Sequence, residues 1–497
     1  METIDFLNPE RRRRYTRMVI LGYVLIGLAI VMMTTVVVFI AYGFSYKNGQ
    51  VIQDGMVYLS STPNPANIYV NGLAYGSNTD TRILLQSGTY TFKLQRSGYR
   101  DWQRTIVIPG GQIVYYEYPF LIPNNLVTTT VSDYDSAPSL MTQSLDQRWL
   151  VVAQDGSLTA FNLFDLNSPL QVPTSFSLPD NLLTATTLPQ SLQVVGWSND
   201  NSHVLLKHLY GSNTEYILMD ISTPAQSINL TKQLSLPTTG IEIQLNNELP
   251  DQYLVLNSAT DTLYQDSLSS LQLQLYFNKI LAFKSYSNNN LLYATPDPSN
   301  TSVVNIDFYD GSNSYLIRRA AANTPYLLNL TTYAGNLYVA IAATSENTAY
   351  IYENPVSQIT DQQIGVAVPV EVFRISQPNY LSFSDNAQYV MFENGSNVAV
   401  YDAENAQGYS YSLPTPLDAP QTHLTWMDGA QLMYVSNKQL NVMDYDGNNR
   451  QVLVSADPQY QPYFDPSYKY LFMLVPSASE PSHELLTSTP LRIPADI

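Results

Sequence analysis

The chain contains no cysteine in 497 residues. That excludes disulfide cross-links, a thiol nucleophile and an acylated cysteine, so neither a disulfide scaffold nor a lipoprotein anchor is available. Charge is nearly as scarce, at 13% of the sequence, about half the usual quarter. The scarcity is total between Met18 and Tyr46, where no Asp, Glu, Lys or Arg occurs. Histidine appears only four times, as His203, His208, His423 and His483.

What stands in place of charge is informative. Val19 to Phe44 is filled with Leu, Ile, Val, Met and Phe, enough for the roughly 20 apolar residues that a spanning helix requires. Five arginines, Arg11 to Arg14 and Arg17, directly precede it, and only Lys47 follows closely. A buried core helix is not expected to carry five arginines at one end and none at the other. By the positive-inside rule residues 1–17 are expected in the cytoplasm and everything past about residue 46 outside it. Ala41 and Gly43 make a small-x-small pattern that would suit signal cleavage, but the apolar run exceeds the 7–15 residues of a signal core. A retained single-pass anchor is the expectation.

Five of the 23 basic residues but only three of the 41 acids lie in the first 17 positions, so the remainder carries a net charge near −20. Such a surface repels polyanions, which disfavours nucleic acid and, apart from the arginine cluster, anionic lipid. Ser, Thr, Asn, Gln and 38 tyrosines replace the missing charge, a composition that suits β-structure. An exported protein without cysteine must be held by its core alone, and a prokaryotic envelope is its simplest source.

From Gln50 to Phe120 short alternating runs predict a compact β unit: Met56–Ser60, Asn67–Asn71, Arg82–Gln86, Tyr90–Gln95, Trp102–Ile108 and Gln112–Tyr118. Thr62-Pro63-Asn64-Pro65 and Asn71-Gly72 mark turns. The framework Ser61-x-Pro63-x-x-Ala66-x-Ile68-x-Val70-x-Gly72, with Gly76, Leu85-x-x-Gly88-x-Tyr90 and Gly98-Tyr99, resembles the PEGA domain of bacterial and archaeal surface proteins. The naming tetrapeptide falls on Pro63-Asn64-Pro65-Ala66, with its Glu and Gly replaced, and Ser77-Asn78 stands where a Thr-Pro is usual. The resemblance implies a small β-sandwich-like module beside a membrane anchor, with no catalytic residues to carry over.

A longer repeat occupies 121–497. Strongly apolar second strands recur at Trp149–Ala153, His203–Lys207, Gln252–Leu256, Leu291–Thr295, Leu337–Ile341, Gln388–Phe392, Gln431–Val435 and Lys469–Leu474. Third strands follow at Leu158–Leu163, Glu215–Asp220, Val303–Phe308, Asn397–Tyr401 and Gln439–Asp444. A period drifting between roughly 38 and 54 residues suits four-stranded propeller blades. Leu440 to Leu453, where a strand runs into Asp444-Tyr445-Asp446-Gly447-Asn448, resembles the repeat of TolB-like β-propellers, and Phe308 to Asn313 is a weaker copy. Eight blades are expected, or seven if the weak unit at 241–270 is an insertion. Leu126–Val131 is placed to close the ring against the C-terminal strand.

No residue is assigned as catalytic, cofactor-binding or metal-binding. Asp444-x-Asp446-Gly447-Asn448 has oxygen ligands but lacks the calcium-loop spacing, so a self-bonded turn is the simpler reading. His203 and His208 sit five apart on a predicted strand and face opposite sides, which prevents a shared zinc ion. Acid pairs such as Asp133 with Asp135, Asp402 with Glu404 and Asp444 with Asp446 fall in turns. Tyr115, Tyr116 and Tyr118 suit cross-strand packing better than a sugar platform.

The expected architecture is therefore an all-β ectodomain on one N-terminal transmembrane helix. It comprises a basic tail (1–17), the anchor (18–46), a PEGA-like module (50–120) and a β-propeller (121–497). The expected role is non-catalytic binding or scaffolding of an envelope protein or cell-wall polysaccharide, without cofactor or metal. A wall-glycan hydrolase using acids at the channel mouth is the alternative. Oligomeric state is open.

Overall fold

A computed structural model describes residues 9–41, 43–47, 50–169, 171–270, 272–287, 289–361, 363–418, 423–480 and 482–496. The start of the expected basic tail, residues 1–8, lies outside them. The chain divides into two compact units, Met1–Asn124 and Asn125–Ile497.

The first unit opens with helix α1 (Pro9–Ala41). Its stretch Arg12–Phe39 has a mean hydropathy of 2.4 in its most apolar window, none of which is buried within the protein. A helix that exposes Leu, Ile, Val and Met along its length is not stabilised by a protein core and calls for an apolar surrounding. Two boundaries differ from expectation. The helix begins inside the basic tail, because Glu10 and the arginines form helix readily. It also stops before residue 46: Gly43 takes φ +73°, which glycine reaches without a Cβ clash. The chain then becomes β1 (Phe44–Lys47), paired antiparallel to Gln50–Gln53.

The module continues through β2 (Gln50–Leu59), β3 (Asn67–Val70), β4 (Leu73–Asn78), β5 (Thr81–Gln86), β6 (Gly88–Gln95), β7 (Trp102–Ile108) and β8 (Ile113–Tyr116). One sheet runs β1-β2-β5 with β8 parallel to β2, and the other runs β4-β3-β6-β7. Strict alternation on β7 buries Trp102, Arg104, Ile106 and Ile108. With Val57, Leu59, Ile68, Ile83, Phe92 and Leu94 fully buried, each worth about 1.5–3 kcal/mol, these residues supply the core. The turn expected at Thr62–Pro65 is present, with the Thr62-Pro63 and Asn64-Pro65 bonds cis. β4 gave no apolar alternation to detect, since all six of its residues are exposed.

The second unit contains eight four-stranded antiparallel sheets among the described residues. They span 141–177, 190–229, 241–278, 282–321, 326–374, 380–412 and 425–455, and the last combines 463–490 with 129–134. Each predicted second strand is the second strand of its sheet. The unit weakest in sequence, around 241–270, forms a complete sheet (β strands at 241–245, 252–257, 262–267 and 274–278). This succession of four-stranded sheets is a β-propeller.

Packing explains why second strands read as continuous apolar runs. Val151 and Ala153 join Val204, Leu206 and Ile217 of the following sheet. Their neighbours Leu150 and Val152 point the other way, onto Phe472, Leu474 and Leu486 of the last sheet. A strand with a protein layer on both faces has no polar side to show. The same alternation puts Tyr253 and Val255 on the second sheet and Leu254 and Leu256 on the fourth.

The ring closes through the strand Thr129–Tyr134, which pairs antiparallel with Glu484–Pro490. The expected closing segment, Leu126–Val131, is thus displaced by three residues. Tyr134 decides the position, because it is the aromatic that enters the core between first and last sheets.

Glu484 opposes this closure. It lies across from Tyr134 in the register and is buried, and its Oε2 has no hydrogen-bond partner. Burial, with Asp457 adding like charge, pushes its pKa up to about 7. Because the folded value exceeds the ordinary 4.5, the cost of burying the charge is absent at low pH. The penalty grows as pH rises from 4.5 through 7 and is constant above. Glu484→Gln is expected to raise stability at pH 8 by about 2 kcal/mol and to leave it nearly unchanged at pH 4. Thermal melts at both pH values check this, and an equal shift at both would contradict the assignment.

Candidate functional site: the propeller channel

The first strand of each propeller sheet lies nearest the centre, as contacts between the first strands of adjoining sheets show: 190–197 with 241–245, 282–286 with 326–333, and 326–333 with 380–383. The turn that follows this strand is built from a repeated pattern. Ser144-Leu145-Asp146, Ser198-Asn199-Asp200 and Ser384-Asp385-Asn386 occupy the same place in three sheets. In each, the serine Oγ donates to the side-chain oxygen two residues on. That Oγ also accepts from the backbone N–H that opens the second strand, Trp149, His203 or Tyr389, at 2.9–3.1 Å. Asp465 takes the serine's place in the last sheet. Short polar side chains that hydrogen-bond their own backbone fix the reversal, and the middle residue is left free to face the channel rim.

Neighbouring turns are linked around the rim. Gln147 Nε2 donates to Tyr468 Oη at 2.8 Å, and the Asp146 N–H donates to Asn201 Oδ1 at 3.0 Å. The Asn199 N–H donates to the Glu248 carbonyl at 2.8 Å. Asn247 Nδ2 reaches Asn289 Oδ1 at 3.4 Å. Asn201, Asn247 and Asn289 all have φ near +60°, a conformation that asparagine tolerates better than most residues.

Inside this rim lies a cavity of about 890 Å³, lined by parts of five sheets: Leu145, Val195–Trp197, Glu242, Gln244 and Leu245, Lys284–Tyr286 and Asn329–Leu330, with the turns at Asn199, Asn247–Leu249 and Asn289. That size lies in the range of ligand sites. Among the described residues, Lys284 is the only cation of the lining. Surrounding protein lowers its pKa, and Glu248 opposes that shift.

Elsewhere on the rim stand Asp385 and Asp428. Desolvation raises both to about 6, and in Asp428 the nearby Asp385 adds to the rise against hydrogen bonds from the Ala430 and Gln431 N–H groups. Tyr468 is raised to about 12 by desolvation, with Asp385, Asp428 and Asp465 contributing.

Each of the four histidines has carboxylate partners of its own. His203 meets Asp200 at 2.8 Å and Asp220 at 3.7 Å. His208 meets Glu215 at 2.8 Å with Gln190 on its other nitrogen. His423 meets buried Glu393 at 2.6 Å and stacks on Tyr380. His483 meets Asp133 at 3.0 Å and Glu480 at 2.8 Å beside the ring closure. Among the described residues no group of three or more His, Asp or Glu is arranged to hold a metal.

The acid turns bond to themselves. Asp444 receives Asn449 Nδ2 at 2.8 Å and Asp446 receives the Asn448 N–H at 3.2 Å. Gly447 has φ +82°, and a Cβ there would meet the Tyr411 ring at 2.9 Å. Asp402 accepts from the N–H groups of Glu404 and Asn405, and Glu404 from the Tyr333 hydroxyl. In the first unit, Tyr116 and Tyr118 flank the buried Arg104 guanidinium at 5.3 and 5.9 Å, while Tyr115 is exposed beside Tyr58.

The Ser-x-Asp/Asn turns, Lys284 and the acids Asp385 and Asp428 were not singled out from sequence. The turn pattern is the signal that could have found the rim, because it immediately precedes several of the apolar second strands.

The first unit has a family match: residues 55–120 match the PEGA domain. The chain therefore carries a PEGA domain followed by a β-propeller, with one apolar helix ahead of both. Among solved structures the propeller is similar to an oligogalacturonate lyase in complex with manganese (11% identity, 73% of this chain and 98% of that one, TM-score 0.41). It is also similar to the oligogalacturonate lyase of Vibrio parahaemolyticus (11%, 74% and 99%, 0.37) and to the Swd1 β-propeller domain of Myceliophteria thermophila (9%, 74% and 100%, 0.38). No curated protein sequence matches the chain.

Proposed function

We propose that the chain is a single-pass, membrane-anchored, extracytoplasmic binding protein of a prokaryotic cell envelope. Its N-terminus is cytoplasmic, its PEGA domain is a spacer, and its propeller is a non-catalytic platform for a protein or glycan. The observation that carries this reading is the helix Arg12–Phe39, unburied and apolar, with its arginines at one end and an acidic, cysteine-free β-structure after the other. The engaged state of the turn carboxylates favours binding over turnover. Asp428, whose pKa is raised by desolvation and by the nearby Asp385, favours the second reading, a wall-glycan hydrolase.

Protease treatment of intact cells, followed by blotting for each end of the chain, tests the placement. The propeller is expected to be digested or shed while the N-terminus stays protected. Full protection of residues 125–497 until the cells are lysed would overturn it.

A further inference from the structure

We infer that the channel cavity binds a neutral, hydroxyl-rich saccharide, an inference that rests on reading the propeller as a binding platform. The argument begins with hydrogen-bonding capacity that the fold leaves unused. Asn247 Oδ1 is buried with no partner. The Asn199 side chain makes no hydrogen bond among the described residues; only its backbone N–H is engaged, by Glu248. Asn329 spends its Oδ1 on the Leu330 N–H at 2.9 Å and keeps its Nδ2 donors. The lining thus offers an acceptor, a donor pair and an amide with both. A sugar hydroxyl donates and accepts at once, so it satisfies this mixture; a buried acceptor without a partner is otherwise costly.

Apolar surface occurs in the same cavity. Leu145 and Val195 are 53% and 37% exposed, and the C–H faces of a pyranose ring can cover such patches. Charge decides against an ionic ligand. Surrounding protein disfavours the charged form of Lys284, with Glu248 opposing that, and Glu242 receives Gln244 Nε2 at 2.7 Å. A carboxylate ligand would enter a strongly acidic protein to meet an amine whose charged form its surroundings disfavour, and a cationic one would compete with Gln244 for Glu242. A neutral ring needs neither.

The test is calorimetric titration of the detergent-solubilised full chain with an N-acetylglucosamine trimer, maltotriose and a galacturonic acid trimer. A neutral trimer is expected to bind, and the galacturonic acid trimer at least tenfold more weakly. Asn199→Ala and Asn329→Ala are each expected to weaken the neutral ligand tenfold or more, with melting temperatures like wild type. Preference for the anionic trimer, abolished by Lys284→Met, would overturn the inference. So would no trimer binding while crosslinked membranes yield a specific protein partner; the platform reading would then stand without the sugar. Neither ligand nor partner would remove both.

Discussion

Glu215→Ala is expected to destabilise the propeller by about 3–5 kcal/mol, the cost of breaking a buried charged hub by removing one partner. Glu215 lies on the third strand of the second sheet (Asn213–Asp220) and is 1% exposed. Burial alone would raise its pKa. Four hydrogen bonds outweigh that and bring it to about 2: from His208, from the Thr184 N–H at 2.7 Å, from Asn229 Nδ2 and from the Thr184 hydroxyl, each of these last two at 2.8 Å. Truncation leaves the fully buried imidazole of His208 facing a void. It also frees the connection at Thr184, which joins first sheet to second. Since the folded pKa is depressed, the carboxylate's contribution is complete above about pH 4.5 and is lost as pH falls toward 2. The difference between wild type and variant in denaturant titrations should therefore shrink in acid. A change below 1 kcal/mol at pH 7 would show that the hub is not what ties these sheets together.

The second large effect concerns ring closure. Deleting Thr129–Tyr134 is expected to abolish cooperative unfolding of the propeller, a loss comparable with the 5–15 kcal/mol of a whole domain. The deletion unpairs Glu484–Pro490 and removes Tyr134 from the cluster with Leu150, Val152, Phe472, Leu474 and Leu486. An open apolar edge of that kind invites association between chains. Moving residues 125–134 to follow residue 496, so that the closing strand becomes a hairpin partner of the strand before it, is expected to restore a cooperative melt. If the deletion variant melts like wild type, the strand is an ornament of the edge and the ring is closed by other contacts.

Legibility differed by element for physical reasons. Second strands were visible because two protein layers leave them wholly apolar, as at Gln431–Ser436, where all six residues are buried. First strands stood out less, because one side of each faces the polar channel: Gln190–Trp197 alternates little and is mostly exposed. For the same reason the candidate site was hardly legible. Lys284 and Asn329 lie on two different sheets and Asn247 in a turn of a third, and nothing in their local sequence marks them as neighbours. The histidines were readable only as unlikely zinc ligands; their carboxylate partners come from up to 350 positions away, as for His483 and Asp133.

The sequence by itself determined what is local and periodic: an apolar helix behind arginines, a PEGA framework of turns and alternating strands, and a repeat of buried strands long enough to close on itself. Those follow from solvent contrast, which acts on each residue and its near neighbours. The tertiary structure alone decided which strand closes the ring, which carboxylates carry a buried cost, as at Glu484, or a buried network, as at Glu215, and which amides share the channel. Those depend on contacts across hundreds of residues, where pairing and packing, not local pattern, choose the partner.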